Sequence, residues 1–178
     1  DFIYVCYDNE AYMNTGIQRS SATPSLTWTT TTPAHQTKDE AKKNIMEIMA
    51  AHRVPYAATA SVAYPEDFFQ KMKKAKATKG LKFIHILATC PTCWRLPTQL
   101  SIKAARLAVL TRIFPLYEIE KGDTYTVNLK PEFCSVQEYL GLQGRFSHLT
   151  DQEKEGIQGN VERLWERLLR KEMSNVKA

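Results

Sequence analysis

The residues best suited to chemistry lie in the stretch Tyr7-Asp8-Asn9-Glu10-Ala11-Tyr12-Met13-Asn14-Thr15-Gly16-Ile17-Gln18-Arg19-Ser20. It gathers carboxylates, amides, a hydroxyl and a turn-forming glycine directly after the apolar run Phe2 to Tyr7, which reads as a β-strand. An open α/β sheet places its ligands beyond the carboxyl ends of its strands. Hard oxygens in that position suit a magnesium ion, which takes near-octahedral oxygen ligands and shares them with phosphate and water. An ordinary polar β-to-α loop would also contain Asp and Asn, so composition alone leaves both readings open.

A second candidate is Ala88-Thr89-Cys90-Pro91-Thr92-Cys93-Trp94, again at the end of an apolar run. A redox Cys-x-x-Cys pair needs its first thiol activated at a helix N-terminus, and Pro91 permits that without arguing for it. A zinc site needs two further ligands, yet no second Cys-x-x-Cys or His pair exists. The third reading is an iron–sulfur ligand whose companions lie elsewhere. Of the other cysteines, Cys6 falls in the first strand as a small buried apolar residue, and Cys134 falls in a loop-like stretch. Four cysteines so scattered do not make a secreted disulfide scaffold.

The elements that must position these residues follow from periodicity. Short apolar runs at Phe2 to Tyr7, Tyr56 to Ser61 and Phe83 to Ala88 read as strands covered on both faces. Asp39 to His52 reads as a helix with Ile45, Ile48 and Met49 on one face. Pro65 to Lys76 reads as another, opening on Pro-Glu-Asp as the helix dipole favours. Strand, helix, strand, helix, strand at this spacing predicts a parallel α/β sheet. Further on, Ser101 to Thr111 is helical, and Leu116 to Glu120 with Tyr125 to Leu129 flank Lys121-Gly122-Asp123 as a β-hairpin. Val136 to Leu140 makes a short helix and Thr150 to Met173 a long one. In the last, Ile157, Val161, Leu164, Trp165, Leu168 and Leu169 repeat at helical spacing, which predicts a packed face.

The chain has 178 residues, 43% hydrophobic and 24% charged, the balance of a globular domain with its own core. No apolar run approaches the ~20 residues that cross a bilayer, and no signal peptide is visible, so the expectation is a cytoplasmic protein without a membrane partner. A strand this near the start has no lead-in, which leads us to expect further residues upstream or on another polypeptide. The net charge is +5. Its densest cluster, Lys71, Lys73, Lys74, Lys76 and Lys79, lacks interleaved aromatics for stacking on bases, so we read it as a solvated helix face rather than a nucleic-acid site. The four histidines receive no role, and His85, within a strand, reads as a satisfied core residue.

The string Asp8 to Pro24 resembles, nearly letter for letter, the β subunit of pyruvate synthase, within the 2-oxoacid:ferredoxin oxidoreductase family. It also resembles the closing part of the motif that begins Gly-Asp-Gly in thiamine-diphosphate enzymes. The segments Ala60 to Phe68, Ala104 to Val109, Phe114 to Glu118 and Gln143 to Phe146 are similar to that family as well, so the likeness runs along nearly the whole chain. It implies an α/β thiamin-diphosphate-binding fold, a mostly parallel sheet flanked by helices, with a C-terminal hairpin and helical extension. Residues 1–112 would be the second half of the cofactor domain, and 113–178 an extension packing on it or on partner subunits.

Residue by residue, the resemblance implies that Asn9 binds Mg²⁺ through its side chain and Ala11 through its carbonyl. Glu10, Tyr12 and Met13 would line the diphosphate, Asn14 would reach the thiazolium ring and substrate as the catalytic contact, and Thr15 and Gly16 would complete the turn. Where the family has Cys-Pro-Thr-Gly-Trp, Cys90 would be the fourth ligand of a [4Fe–4S] cluster, and Cys93 stands where the family has glycine. The Gly-Asp-Gly half, with the other Mg²⁺ ligand and three cluster cysteines, is absent from this sequence. The implied reaction is oxidative decarboxylation of a 2-oxoacid, pyruvate first, to acyl-CoA and CO₂ with reduction of ferredoxin, or the reverse. It would run within a complex of alpha-, gamma- and delta-type subunits. Alternatives are the same chemistry on a branched-chain acid, oxalate or an aryl glyoxylate, a non-redox thiamine enzyme, or a non-catalytic assembly module.

Overall fold

In a computed structural model that describes residues 1–175, the chain folds around one five-stranded sheet in the order β1-β3-β2-β4-β5. Strands β1 (Phe2–Asp8), β3 (Leu81–Leu87) and β2 (Tyr56–Ala60) run parallel. The hairpin β4 (Tyr117–Glu120) and β5 (Thr124–Val127) closes the far side antiparallel to β2. The two parallel connections carry α1 (Ile45–Ala51) and α2 (Pro65–Ala77). Side chains alternate across the pleat. Ala57, Phe83 and Ile119 face one layer with Met46 and Ala50 of α1 and Trp165 and Leu168 of α6 (Asp151–Ser174). Tyr56, Ala58, Ile84 and Ile86 face the other, against Ala75 of α2. A third cluster gathers Leu87, Trp94, Phe114, Tyr139 and Phe146 beyond the carboxyl ends of the strands, together with α4 (Ser101–Leu110) and α5 (Val136–Leu140). Residues 113–175 thus share their apolar clusters with the first 112. No helix among the described residues is long and apolar enough to cross a membrane.

Three local expectations change. Strand β1 is not buried: it forms the sheet edge, and Phe2, Tyr4 and Tyr7 are 59%, 55% and 74% exposed. Its continuous apolar run has the composition of a strand covered on both faces, but no described residue lies along its outer edge. Cys6 is accordingly only half-buried. Helix α1 begins at Ile45, not Asp39, because Asn44 caps it by accepting from the Glu47 N–H. The preceding residues stay outside any helix, with Lys38 donating to the Thr23 carbonyl and Lys42 reaching the carboxylates of Asp8 and Glu10. The buried face of α1 is then Met46 and Ala50, with Ile48 turned outward. Lys71 is not solvated: it lies on the buried side of α2 and is ion-paired to Asp67 of the same helix at 2.7 Å. On α6, Val161, Trp165 and Leu168 pack as expected, while Leu164 faces out.

The β4–β5 turn locks the hairpin onto α1. Gly122 has φ +84°, and a Cβ there would meet the Ala50 carbonyl oxygen at 2.5 Å and the Arg53 Cα at 2.9 Å. Gly156, on the open face of α6, has nothing within 4 Å of an added Cβ. In urea unfolding, Gly122→Ala should destabilise by about 1–3 kcal/mol, whereas Gly156→Ala should stabilise by up to about 1 kcal/mol.

Candidate functional site

The register brings the carboxyl ends of β1, β2 and β3 to one edge, where Asp8 lies opposite Leu87 and Ala60 opposite Ile86. The loop after β1 and the segment after β3 therefore start side by side, tied by the Ala88 N–H donating to the Asp8 carbonyl at 2.8 Å. That segment turns at once into α3 (Pro91–Trp94), with Cys90 at its N-cap and Arg95, at φ +50°, ending it. Pro91 suits the first helical position, since its missing N–H would have had no partner there.

Side chains local to the first loop hold it. Asp8 Oδ1 accepts from the Glu10 N–H at 2.8 Å, and Asn9 Oδ1 accepts from the Ala11 N–H at 3.1 Å. These two Asx turns bend the chain through Glu10, which sits at φ +67°. Beyond it, Tyr12 and Gln18 exchange backbone hydrogen bonds at 3.0 and 3.1 Å. The Met13 carbonyl accepts from the N–H groups of Gly16 and Ile17. A small closed turn results, with Asn14, Thr15 and Gly16 exposed at its tip and Tyr12 62% exposed on its side.

Beneath the loop lies a buried chain of charges. Asp8 Oδ2 meets His85 Nε2 at 2.9 Å and Lys42 Nζ at 2.8 Å. The same lysine meets Glu10 Oε1 at 2.7 Å, and Glu10 Oε2 takes Arg145 Nη2 at 2.6 Å. Two carboxylates and two cations balance, as buried charges must. Burial pushes the Asp8 carboxyl up, but the His85 hydrogen bond and the Lys42 charge outweigh it and hold Asp8 well below the usual carboxylate range. Burial likewise opposes the charge on Lys42, and Glu10 and Asp8 override it, so its pKa rises. His85 also packs edge-on against Phe114 and is a satisfied core residue, as expected.

The two candidate segments touch through Asn9. Its carbonyl accepts from Trp94 Nε1–H at 2.9 Å, with Cys93 Sγ 3.7 Å away. Cys93 is buried, and burial pushes its thiol up to about 11 despite the nearby Arg145 charge. A shift in that direction disfavours the free thiolate. Cys90 is half-buried. Ala11, Met13, Ile17 and Cys90 all pack on the same cluster around Trp94 and Tyr139.

The loop thus offers the Asn9 amide oxygen and the Ala11 carbonyl as hard oxygen donors, which fit Mg²⁺. Cys90 offers one soft donor, which fits iron–sulfur chemistry. Among the described residues no three His, Cys, Asp or Glu side chains come together as a metal site. Each donor set is therefore a fraction of what its metal needs. Glu10 is brought under the loop, not to its rim, since both of its oxygens are taken. The sequence reading gave no role to Asp8, Lys42 or Arg145, although the first and last stood within the strings quoted for the family likeness. Arg145 lies 135 residues from Glu10, so no local spacing could have paired them.

A parallel sheet with a metal-capable oxygen loop at its carboxyl edge defines a cofactor-binding α/β domain. Residues 1–86 match the family described as thiamine pyrophosphate enzyme, C-terminal TPP binding domain. The whole chain has relatives among oxidoreductase subunits. "Ketoisovalerate oxidoreductase subunit VorB" of Pyrococcus horikoshii is 53% identical over 174 residues, 94% of this chain and 56% of that protein. "Pyruvate synthase subunit PorB" is 51% identical in Methanocaldococcus jannaschii, covering 91% of this chain and 55% of that one. In Methanothermobacter thermautotrophicus it is 49% identical, covering 94% and 59%. The chain thus spans a little more than half the length of the curated relatives it matches. A solved 2-oxoglutarate:ferredoxin oxidoreductase from Magnetococcus marinus is similar at 23% identity and a TM-score of 0.46, over 58% of this chain and 42% of that one, too distant to add to the assignment.

The buried charges make stability depend on pH. The folded state holds Asp8 ionised below the pKa of its unfolded form, so the stabilisation is complete above that value and is lost as pH falls below about 4. Thermal melts from pH 7 to pH 3 should show Tm falling on the acid side. Asp8→Asn should cost about 3 kcal/mol at neutral pH, by leaving buried cations short of a partner, and should flatten that acid limb.

Proposed function

We propose that this chain supplies one side of the thiamine-diphosphate and iron–sulfur site of a 2-oxoacid:ferredoxin oxidoreductase that acts on pyruvate. The observation that carries the reading is the contact between the two candidate segments. The Asn9 loop and the Cys90–Trp94 turn share one sheet edge and are joined by the Trp94 to Asn9 hydrogen bond. A non-redox thiamine enzyme would need the first segment and have no use for Cys90 beside it.

When bound, thiamine diphosphate supplies the carbanion chemistry that releases CO₂ from a 2-oxoacid. The protein's part is to hold and orient. Asn9 Oδ1 and the Ala11 carbonyl give Mg²⁺ two of its oxygens. Tyr12 and Met13 wall the diphosphate, while Glu10 acts through the left-handed bend it holds. Asn14, at the exposed tip with Thr15 and Gly16, faces the substrate side. Cys90 would hold one iron of a [4Fe–4S] cluster, which would supply one-electron transfer toward ferredoxin, with coenzyme A as the acyl acceptor of the assembly. The Gly-Asp-Gly half and three cluster cysteines would come from residues upstream or on another polypeptide, and alpha-, gamma- and delta-type subunits would complete the assembly. The bare outer edge of β1, with exposed Phe2, Tyr4 and Tyr7, is the kind of surface that such cover requires. A second reading, the same chemistry on a branched-chain 2-oxoacid, is favoured by the 53% identity to ketoisovalerate subunits.

The test uses the native assembly purified without oxygen. Adding pyruvate should bleach the iron–sulfur absorbance, and coenzyme A should deepen the bleaching. Bleaching by 3-methyl-2-oxobutanoate but not pyruvate would keep the reaction and change the acid. Cys90→Ser should abolish the bleaching while Cys93→Ser retains it. An assembly without iron–sulfur absorbance would overturn the role of Cys90.

A further inference from the structure

Arg145 is the largest charged side chain buried in the fold, 1% exposed, and it comes from a short 3₁₀ turn, Gly144–Phe146, far along the chain. Two of its three nitrogens are bonded: Nη2 donates to Glu10 Oε2 at 2.6 Å and Nε to Gln143 Oε1 at 2.9 Å, while the guanidinium carbon Cζ lies over the Trp94 ring, 4.0 Å from its centre. The turn that carries it is pinned as well. The Gly144 N–H donates to the carbonyl of Arg95, the residue that ends α3, and the Arg145 carbonyl accepts from the Trp28 N–H. Gly144 is required there because a Cβ would lie 2.8 Å from the Arg95 Cβ.

One side chain therefore touches both halves of the proposed site. Through Glu10 it holds the left-handed bend between Asn9 and Ala11. Through Trp94 it holds the indole whose N–H reaches the Asn9 carbonyl, on the helix that Cys90 caps. Stability is a weak reason to bury it. Replacing a buried ion pair by well-packed apolar groups is often neutral or stabilising, and Nη1 is left buried with no partner among the described residues. A planar fork stacked on an indole fixes orientation in a way that a lysine ammonium cannot.

We infer that Arg145 is a positioning residue that sets the cofactor loop and the Cys90 turn in register with each other. The inference rests on the proposed function and deepens it. Lys42 shares the load on Glu10 from the other side but has no hydrogen bond to the Cys90 turn among the described residues, so beyond the backbone tie of Ala88 to Asp8 the side-chain coupling runs through Arg145 and Trp94.

The experiment titrates thiamine diphosphate with Mg²⁺ into cofactor-stripped assembly by calorimetry, and records rapid cluster reduction by 2-oxoacid at saturating cofactor. Arg145→Lys keeps the charge and loses the fork. It should raise the cofactor Kd at least tenfold and slow cluster reduction at least tenfold. Arg112→Lys, where the lost guanidinium stacks on Trp165 and bonds Pro131, is the control for mere loss of stability: its Tm should fall while its Kd holds. If Arg145→Lys does not assemble, Trp94→Phe decides, since it keeps a ring beneath Arg145 and removes only the donor to Asn9. Its Kd should rise at least threefold. A Kd and a reduction rate within twofold of the parent in the variant that assembles would overturn the inference. A parent assembly that binds no thiamine diphosphate would instead overturn the proposed function.

Discussion

The structure turns on a constraint at the end of β1: two carboxylates, Asp8 and Glu10, are driven inward on either side of Asn9. Buried carboxylates must find cations, and each cation here arrives from a different stretch of chain. Lys42 can reach both because the residues before Asn44 stay out of α1. Arg145 can reach Glu10 because Gly144 allows its turn to press against Arg95. The loop's shape is thus set by its own Asx turns together with residues as far away as Arg145.

This arrangement explains how a short polar loop can be stiff. Inward carboxylates and the two Asx turns, one of them made by the Asn9 amide oxygen itself, fix the backbone and leave the tip at Asn14 exposed. Donors held in advance lose little freedom on binding, which is the usual advantage of a preorganised site. The contrast between the cysteines has the same origin. Cys93 is buried and desolvation pushes its thiol up, whereas Cys90 is half-buried at the N-cap of α3.

Much of this was legible in the sequence, for physical reasons that also mark the limits. Strands β2 and β3 announce themselves because both faces are buried and their runs are unbroken. The hairpin shows in Lys121-Gly122-Asp123, and α6 in its apolar repeat. The same rule placed β1 correctly but misjudged its burial, since an apolar run reports what a strand is built to be covered by, not what covers it among residues 1–175. Helix α1 was drawn too long because the pull of Asp8 and Glu10 on Lys42 is a tertiary demand that no window of sequence contains. Asn9, Ala11 and Cys90 could be named because their neighbours form recognisable strings. Arg145 stood in such a string too, but its pairing with Glu10 across 135 residues left no periodic trace.

The most direct test of the central claim is anomalous diffraction at the iron edge from crystals of the assembly grown with thiamine diphosphate and Mg²⁺. The account predicts an iron atom bonded to Cys90 Sγ, none bonded to Cys93, and the diphosphate with its metal against Asn9 and Ala11. Iron remote from Cys90, or a cofactor bound away from the loop after β1, would contradict it.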